Sequence, residues 1–257
     1  MAADKILTDE KAPYPRICAH RGFNTVAPEN SMPAFGAAVA MGAEEIEFDL
    51  WYTKDGQIVS IHDARLDRVS DGTGNVFDHT YAELLQYDFG VKFGAEFTGL
   101  RILKFEDILK KFACRVLMNI HVKSRPGESY DPQILQKIIA LIDKYDCRPY
   151  VYFMSGSDEL LDMMRAMAPN ITRCCGGGIT PELRYAIVDR AIRHECKKVQ
   201  FFTEYFNQEM IDKAHANGIR CNYFYADNPT QAKKMMEMGI DTLLTNDYQR
   251  ISRAVMG

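Results

Sequence analysis

The first quarter of the chain carries histidine, arginine and carboxylate side chains at close spacing, and together they suit the cleavage of a phosphate ester. His20 and Arg21 are followed by Glu47 and Asp49, and then by His62. A pair of histidines can transfer protons, and carboxylate oxygens hold a hard cation. A fixed guanidinium such as that of Arg21 stabilises charge that develops on phosphate. The spacing therefore predicts a phosphate-ester site that holds a metal ion.

Carboxylates alternate with apolar residues between positions 45 and 50, which is typical of a strand with one apolar face. The alternation places Glu45, Glu47 and Asp49 on the other face. In a barrel that face points inward, where unpaired charge is costly, so the acids favour a bound cation. The alternative is a set of salt bridges to Arg or Lys on neighbouring strands. Glu45 lies deepest and is expected to be structural.

A turn signal predicts where His62 lies relative to this acidic face. Asp55-Gly56 is the kind of dipeptide favoured in a two-residue hairpin turn. With these residues as the turn, pairing carried along both strands sets Asp49 opposite His62. Cross-strand partners lie about 4.5–5.5 Å apart at Cβ, so the turn predicts that His62 sits beside a carboxylate that would bind the metal.

The third predicted strand, residues 116–122, adds two further candidates. Asn119, His121 and Lys123 share one face of that segment. Lys123 is expected to hold a phosphate oxygen as a point charge. Two alternatives for Lys123 stay open, a salt bridge to the acids and the Schiff-base lysine of an aldolase-type barrel.

The rest of the sequence alternates strand-like and helix-like segments, which favours a (β/α)8 barrel over an open sheet. The strand-like segments are residues 16–19, 44–50, 116–122, 150–154, 171–174, 199–202, 220–225 and 241–245. Helical patterns lie between them, and Ser31, Asp131 and Thr180 are predicted N-caps. We predict an α/β fold, a single (β/α)8 TIM barrel over residues 1–257. A small insertion after strand 2, about residues 64–104, is expected to wall the substrate pocket.

Composition argues against several classes of partner. The net charge of −4 does not suggest nucleic acid. Residues 1–15 lack the apolar core of a signal peptide, and no later stretch is long enough to span a bilayer. Seven cysteines are scattered without metal-ligand spacing and are predicted to be reduced. We expect a cytoplasmic protein with no nucleic-acid partner and no stable membrane insertion, and the oligomeric state is left open.

Several short motifs in the first half of the chain resemble the glycerophosphodiester phosphodiesterase family. They are His20-Arg21-Gly22, Pro28-Glu29-Asn30-Ser31, Glu47-Phe48-Asp49, Asp55-Gly56, His62-Asp63, Leu66-Asp67-Arg68 and Gly72-Thr73-Gly74. The resemblance implies a (β/α)8 barrel with an insertion after strand 2. It also implies one divalent cation, usually Ca2+ or Mg2+, and a small-molecule phosphodiester substrate that is hydrolysed to glycerol 3-phosphate and an alcohol.

The same resemblance implies roles for individual residues. His20 and His62 match the acid–base pair of the family, and Arg21 matches its phosphate-binding arginine. Glu47 and Asp49 match the metal ligands. Lys123 matches the family's third-strand lysine, which places it against the substrate as well.

The chain departs from the family pattern at two positions that concern the site. His121 stands where the family usually has glutamate, and Phe224, a predicted substrate-binding residue, stands where tryptophan is common. Imidazole suits transition metals better than Ca2+, so with His121 as third ligand Mn2+ or Zn2+ becomes possible. The open alternatives are a lysophospholipase D-like or cyclising phosphodiesterase, and a phosphate-binding barrel that has lost activity.

Overall fold

The structure is a computed structural model that describes residues 6–125, 127–178 and 180–256. The predicted lack of a signal peptide rests partly on residues 1–5, which lie outside the described residues. The same holds for the two outer limits of the predicted domain over residues 1–257.

In the described parts of the chain, eight parallel strands close into a barrel with helices outside it, as predicted. The strands are β1 (Arg16–His20), β2 (Glu45–Tyr52), β3 (Ile58–Ser60), β4 (Leu103–Lys104), β5 (Leu117–Val122), β6 (Val151–Ser155), β7 (Thr172–Gly176), β8 (Lys198–Phe201), β9 (Arg220–Tyr223) and β10 (Thr242–Thr245). Pairing runs in the order β1-β10-β9-β8-β7-β6-β5-β2, and β1 also pairs with β2, which closes the barrel. The short strands β3 and β4 extend β2 outward as antiparallel neighbours.

The helices fill the spaces between barrel strands. They are α1 (Met32–Ala40), α2 (Tyr81–Leu84), α3 (Phe105–Phe112), α4 (Pro132–Lys144), α5 (Asp158–Met167), α6 (Pro181–Tyr185), α7 (Ile187–Arg193), α8 (Gln208–Ala216), α9 (Pro229–Glu237) and α10 (Tyr248–Met256). The predicted caps are confirmed, because Ser31, Asp131 and Thr180 each accept a hydrogen bond from a backbone N–H of the first turn.

The helical segment between β7 and β8, residues 181–193, is divided into α6 and α7 at Ala186. The two parts differ in burial. Helix α7 buries Ile187, Val188 and Ala191 against the barrel, whereas α6 has no buried residue among those described. The break lets α7 follow the barrel surface while α6 stays at the rim.

The hairpin between β2 and β3 has a different register from the predicted one. Leu50 pairs with Ser60 and Tyr52 with Ile58, so the predicted pairing of Asp49 with His62 is wrong by one residue. The loop holds three residues rather than two, since the Thr53 N–H bonds to the Gln57 carbonyl at 2.9 Å. Gly56 closes it at φ +70°, the left-handed conformation that follows a type I turn in a three-residue hairpin.

The alternation along β2 separates the core from the barrel interior as predicted. Ile46, Phe48 and Leu50 belong to the main apolar core under the helices. Glu47 and Asp49 are fully buried on the opposite face. Residues between β3 and β4 form a second, smaller apolar cluster with Trp51, which anchors this segment beside the mouth of the barrel.

The N-terminal segment before β1 seals the other end of the barrel through buried charges. Arg16 and Lys198, at the starts of β1 and β8, both contact Asp9 Oδ1, at 2.6 and 2.7 Å. Arg16, Lys198 and Asp9 are 6%, 2% and 6% exposed, respectively. A buried charge left without its partner is strongly destabilising.

Asp9→Asn is therefore expected to lower the free energy of unfolding by about 3–5 kcal/mol, because it removes the carboxylate that the buried Arg16 and Lys198 share. Urea unfolding followed by circular dichroism measures this. Glu10→Gln, at the exposed neighbouring position, is the matched control and should change stability by less than about 0.5 kcal/mol. Equal stability of the two variants would contradict this interpretation of the cluster.

Candidate active site

The site lies at the carboxyl ends of the barrel strands, where parallel register brings its residues together. In the β1–β2 pairing His20 stands beside Glu47, and in the β2–β5 pairing Asp49 stands beside His121. Loops at this end of a (β/α)8 barrel build the active site. The position of the acidic pair at the centre follows from the alternation along β2.

Glu47, Asp49 and His121 form a set that could hold a metal ion. One ligand atom from each lies within 4.8 Å of the others. Glu47 Oε1 is buried and has no hydrogen-bond partner in residues 6–125, 127–178 and 180–256. A buried carboxylate oxygen without a partner is costly, and a cation is the partner that such an oxygen fits. Two carboxylates and an imidazole therefore suit a divalent ion.

The charges around the acids favour opposite protonation states for the two carboxyls. Burial opposes ionisation of Asp49, but Lys123 Nζ at 2.9 Å and His121 Nδ1 at 3.2 Å from Oδ1 outweigh it. They hold the pKa of Asp49 well below its usual range. Burial and the charge of Asp49 raise the pKa of Glu47 well above its usual range. A bound cation would favour the ionised form of both.

His121 is neutral at pH 7, which is the form of imidazole that ligates a metal. Burial first, and then the charge of Lys123, lower the pKa of His121 to about 4. Lys123 contacts Asp49, so the salt bridge foreseen as an alternative is present. That contact leaves Lys123 within the same group of side chains as the candidate metal ligands.

Arg21 is held against the acids by an unusual backbone conformation. Its φ is +55°, and its N–H donates to Glu47 Oε2 at 3.0 Å. Its guanidinium lies 3.7 Å from Asp49 Oδ2 and 3.1 Å from Glu29 Oε1. Gly22 follows at φ +83°, where a Cβ would lie 2.7 Å from the backbone of Ala34. Left-handed residues of this kind cluster at functional sites.

His20 is buried between the acids and an aromatic wall. Its Nδ1 lies 2.8 Å from Asn246 Oδ1, and its Nε2 lies 3.9 Å from Glu47 Oε2. The rings of Phe224 and Tyr225 meet it edge-on, with centroids 4.9 and 5.2 Å away. Burial, followed by the charge of Arg21, lowers the pKa of His20 to about 3, so the imidazole is neutral at pH 7.

His62 reaches the same site although the predicted register was wrong. It follows β3, and its carbonyl accepts the Trp51 indole N–H at 3.0 Å. Its Nδ1 lies 2.6 Å from Asp63 Oδ1. Burial lowers the pKa of His62, while the nearby charge of Asp49 opposes the change. The preceding residue, Ile61, donates its N–H to the Asp49 carbonyl at 3.2 Å, which brings His62 next to the end of β2.

A chain of ion pairs links the surroundings of His62 to those of Arg21. Arg68 donates to Asp63 Oδ2 at 2.5 Å and to both oxygens of Glu29 at 2.7 Å. Glu29 in turn accepts from Arg21. The links fix the loop that carries His62 against the segment before α1.

A cavity of about 550 Å³ opens beside the candidate metal ligands. His121 and Lys123 lie at one part of its lining, and Phe202 and Phe224 at another. Phe224, the predicted substrate-binding residue, thus lies between His20 and the cavity. Tyr152 is fully buried in the barrel, where its hydroxyl donates to Glu45 at 2.6 Å.

The segment between β3 and β4 borders a second cavity of about 160 Å³ next to His62. Arg68, Phe89 and Phe93 contribute to its lining. The insertion thus contributes to the wall of a cavity beside His62.

Sequence reasoning missed two asparagines that organise the site. Asn30, at φ +55°, donates to Asp49 Oδ2 at 2.9 Å and accepts the Asp49 N–H at 3.1 Å. Asn246 accepts from both His20 and Asn24. Asn30 lies in a motif that signalled a helix start, and Asn246 lies 226 residues from its partner, so neither role was readable from spacing.

The barrel and this cluster define a phosphodiesterase-like site, and comparison with known proteins gives the family. The model of the glycerophosphoryl diester phosphodiesterase family matches residues 20–250. A glycerophosphodiester phosphodiesterase of Caldanaerobacter subterraneus is 31% identical over 245 residues, which cover 93% of this chain and 97% of the relative. One from Bacillus subtilis is 26% identical over 96% of this chain and 85% of its own length. The chain belongs to the glycerophosphoryl diester phosphodiesterase family of enzymes.

Solved structures agree on the fold. A phosphodiesterase of Oleispira antarctica in complex with the product sn-glycerol-3-phosphate has a TM-score of 0.85 at 23% identity, over 95% of this chain and 98% of that one. A glycerophosphodiester phosphodiesterase of Agrobacterium tumefaciens has a TM-score of 0.77 at 23% identity, over 93% and 99%. In the described ranges of this chain, no helix combines the length and apolarity needed to cross a membrane.

Proposed function

We propose that this enzyme is a metal-dependent phosphodiesterase that hydrolyses glycerophosphodiesters to glycerol 3-phosphate and an alcohol. The observation that carries the proposal is the convergence of Glu47, Asp49 and His121 beside His20 and Arg21. Acidic and imidazole ligands for a cation, a fixed guanidinium and a pair of histidines for proton transfer are the groups that phosphodiester hydrolysis needs. Similarity to glycerophosphodiester phosphodiesterases supports the choice of substrate.

Glu47, Asp49 and His121 would hold the cation, which when bound supplies Lewis-acid polarisation of a phosphate oxygen. Arg21 binds a further phosphate oxygen, and its guanidinium is kept in place by Glu29 and Asp49. Lys123, which contacts the other oxygen of Asp49, adds a point charge. Because Arg21 and Lys123 are fixed before the substrate arrives, they stabilise developing charge without reorganisation.

The hydrogen bonds of the two histidines suggest different roles. Asn246 Oδ1 also accepts from Asn24 at 2.6 Å, so we assign the His20 proton to Nδ1 and the lone pair to Nε2. In that tautomer the free lone pair of Nε2 lies on the side of Glu47, which suits His20 as the base that deprotonates the nucleophile. His62 has a carboxylate partner in Asp63, which favours the protonated ring. We therefore assign His62 as the acid that protonates the leaving oxygen.

The ligand set favours Mn2+ or Zn2+ over Ca2+. Replacing a third carboxylate by His121 removes one negative charge and exchanges an oxygen for a nitrogen. Ca2+ selects oxygen ligands, whereas imidazole suits transition metals. We propose one divalent cation per chain with this order of preference.

The assignment of His62 as acid predicts how a neighbour shifts the pH profile. Burial lowers the pKa of His62, and Asp49 and Asp63 oppose that change. Asp63→Asn removes one of the two opposing carboxylates, so the pKa of His62 should fall further. Since the acid must carry its proton, the alkaline limb of kcat/KM should move to lower pH. Measured pH–rate profiles test this, with Asp67→Asn as the control. An unchanged or upward-shifted alkaline limb in Asp63→Asn would contradict the assignment.

Product analysis tests the function itself. The metal-loaded enzyme is incubated with glycerophosphocholine, and the products are followed by 31P NMR. We expect the products to be glycerol 3-phosphate and choline. Accumulation of a cyclic phosphate would indicate that the neighbouring hydroxyl is the nucleophile. Turnover of lysophosphatidylcholine with none of glycerophosphocholine would favour the lysophospholipase D-like alternative, and binding without turnover would favour the inactive barrel.

A further inference from the structure

Gln200 on β8 has a buried carboxamide that no hydrogen bond among the described residues explains. The residue is 0% exposed. Neither Nε2 nor Oε1 has a hydrogen-bond partner among the residues that the structure describes. Buried polar groups in native proteins are almost always satisfied, so a side chain with both amide atoms unpaired indicates that something outside the chain completes it.

Other polar residues inside the barrel differ from Gln200, because each either has a hydrogen-bond partner or lies outside the lining of the large cavity. Lys198, two positions earlier on the same strand, bonds to Asp9. Asn222, the β9 partner of Gln200, donates to the Tyr152 hydroxyl at 3.2 Å, and its unpaired Oδ1 lies on a residue outside the lining of the large cavity. Asn119 also has unpaired amide atoms, but it does not line the large cavity. Gln200 is thus distinguished by being both unpaired and at the cavity wall.

The position of Gln200 along the cavity relates it to the phosphate site. The same cavity of about 550 Å³ is lined by His121, Lys123, Gln200, Phe202 and Phe224. On the β7 side, the residue in register with Gln200 is Gly176, which has no side chain to cover the amide. A substrate whose phosphate lies at Lys123 therefore has room to extend one arm toward Gln200.

The chemistry of the amide limits what that arm can be. A carboxamide presents an acceptor oxygen beside two N–H donors, whereas a hydroxyl both donates and accepts. Adjacent hydroxyls on neighbouring carbons can therefore satisfy both halves of one amide. We propose that Gln200 binds the vicinal diol of the glycerol arm and makes the enzyme selective for glycerol esters. This inference rests on the proposed function, since it takes the phosphodiester site as its anchor.

The test compares two substrates that differ only in the diol. Glycerophosphocholine carries it, and propylphosphocholine has the same three-carbon arm without the two hydroxyls. The preference is the ratio of their kcat/KM values. Sites built to bond a hydroxyl discriminate strongly against analogues that lack it. Gln200→Met, which keeps an unbranched side chain of similar length, is expected to lower the preference at least tenfold. Gln136→Met, on the exposed face of α4, should leave it as in wild type.

A binding measurement keeps the test independent of turnover. sn-Glycerol 3-phosphate should raise the Tm of wild type more than propyl phosphate does, and Gln200→Met should lose that difference. Gln200→Asn, which retains a shortened amide, replaces Gln200→Met if the latter does not fold. An unchanged preference, or an unchanged Tm difference, would overturn the role of Gln200. Absence of turnover of both substrates in wild type would instead refute the proposed function, and the Tm comparison would still decide on Gln200.

Discussion

Replacing either His20 or His62 by glutamine is expected to lower kcat for glycerophosphocholine about 10²–10⁴-fold, the usual contribution of a general acid or base. The physical reason is that the histidines lie on one site with separate hydrogen-bond partners, Asn246 and Asp63. Glutamine preserves polarity and much of the volume but transfers no proton at neutral pH. Single-turnover and steady-state rates with the metal-loaded variants measure the loss.

Two comparisons make this prediction specific. The double variant should be no more than about tenfold worse than the poorer single variant, because residues that act as a unit are not additive. His79→Gln is a control at a histidine outside the site, which lies 5.8 Å from the ring of Tyr87, and it should retain wild-type turnover. Retention of turnover within about threefold in His20→Gln or His62→Gln would remove that residue from the mechanism.

Removal of the metal is expected to lower turnover about 10³-fold or more, since Lewis-acid stabilisation contributes several kcal/mol. After chelation and dialysis, Mn2+ or Zn2+ should restore activity better than Ca2+. His121→Glu should reverse that order toward Ca2+ and Mg2+, because it restores an all-oxygen set. Titration of activity and of Tm with each ion provides two independent readouts.

Asp49→Asn is the matched control for the metal prediction. The change keeps the shape of the side chain but removes the charge that faces Lys123 and His121. Activity should fall with every ion, and Mn2+ should no longer raise the Tm. If His121→Glu leaves the order of metals unchanged, His121 is not a ligand and acts only as a neighbour of Asp49.

The acidic centre was the part of the site most readable from sequence. Strict alternation along β2 dictates that Glu47 and Asp49 share a face, and the parallel order of barrel strands brings His121 beside them. The alternation of strands and helices predicts which strands are neighbours in the barrel. These contacts could therefore be predicted without knowing the conformation of any loop. The barrel itself was predictable for the same reason.

The turn motif predicted that His62 lies near Asp49, but it did so through a wrong strand register. The turn motif predicted a two-residue hairpin, but Lys54 joins the loop and Thr53 pairs with Gln57, which shifts the pairing by one residue. His62 still lies near Asp49 because it follows the end of β3. There the hydrogen bond from the Trp51 indole N–H to the His62 carbonyl fixes the position of the backbone. Dipeptide signals do not distinguish two-residue from three-residue hairpins when the glycine is left-handed in both.

The features that sequence reasoning missed depend on contacts between distant segments. Asn246 is hydrogen-bonded to His20, which lies 226 residues away in the sequence. Arg68 is hydrogen-bonded to Glu29, which lies 39 residues away. Gln200 was not singled out at all, because an isolated glutamine in a strand has no periodic or motif signal. Its significance appears only when burial and the absence of a partner among the described residues are seen together.

The measurement that tests the central claim most directly is the rate at which purified enzyme releases glycerol 3-phosphate from glycerophosphocholine, before and after chelation and with Mn2+ restored. We expect chelation to abolish turnover. Adding Mn2+ should restore turnover in wild type but not in Asp49→Asn. Turnover that survives complete chelation, or that Asp49→Asn retains, would contradict a metal-dependent phosphodiesterase centred on β2.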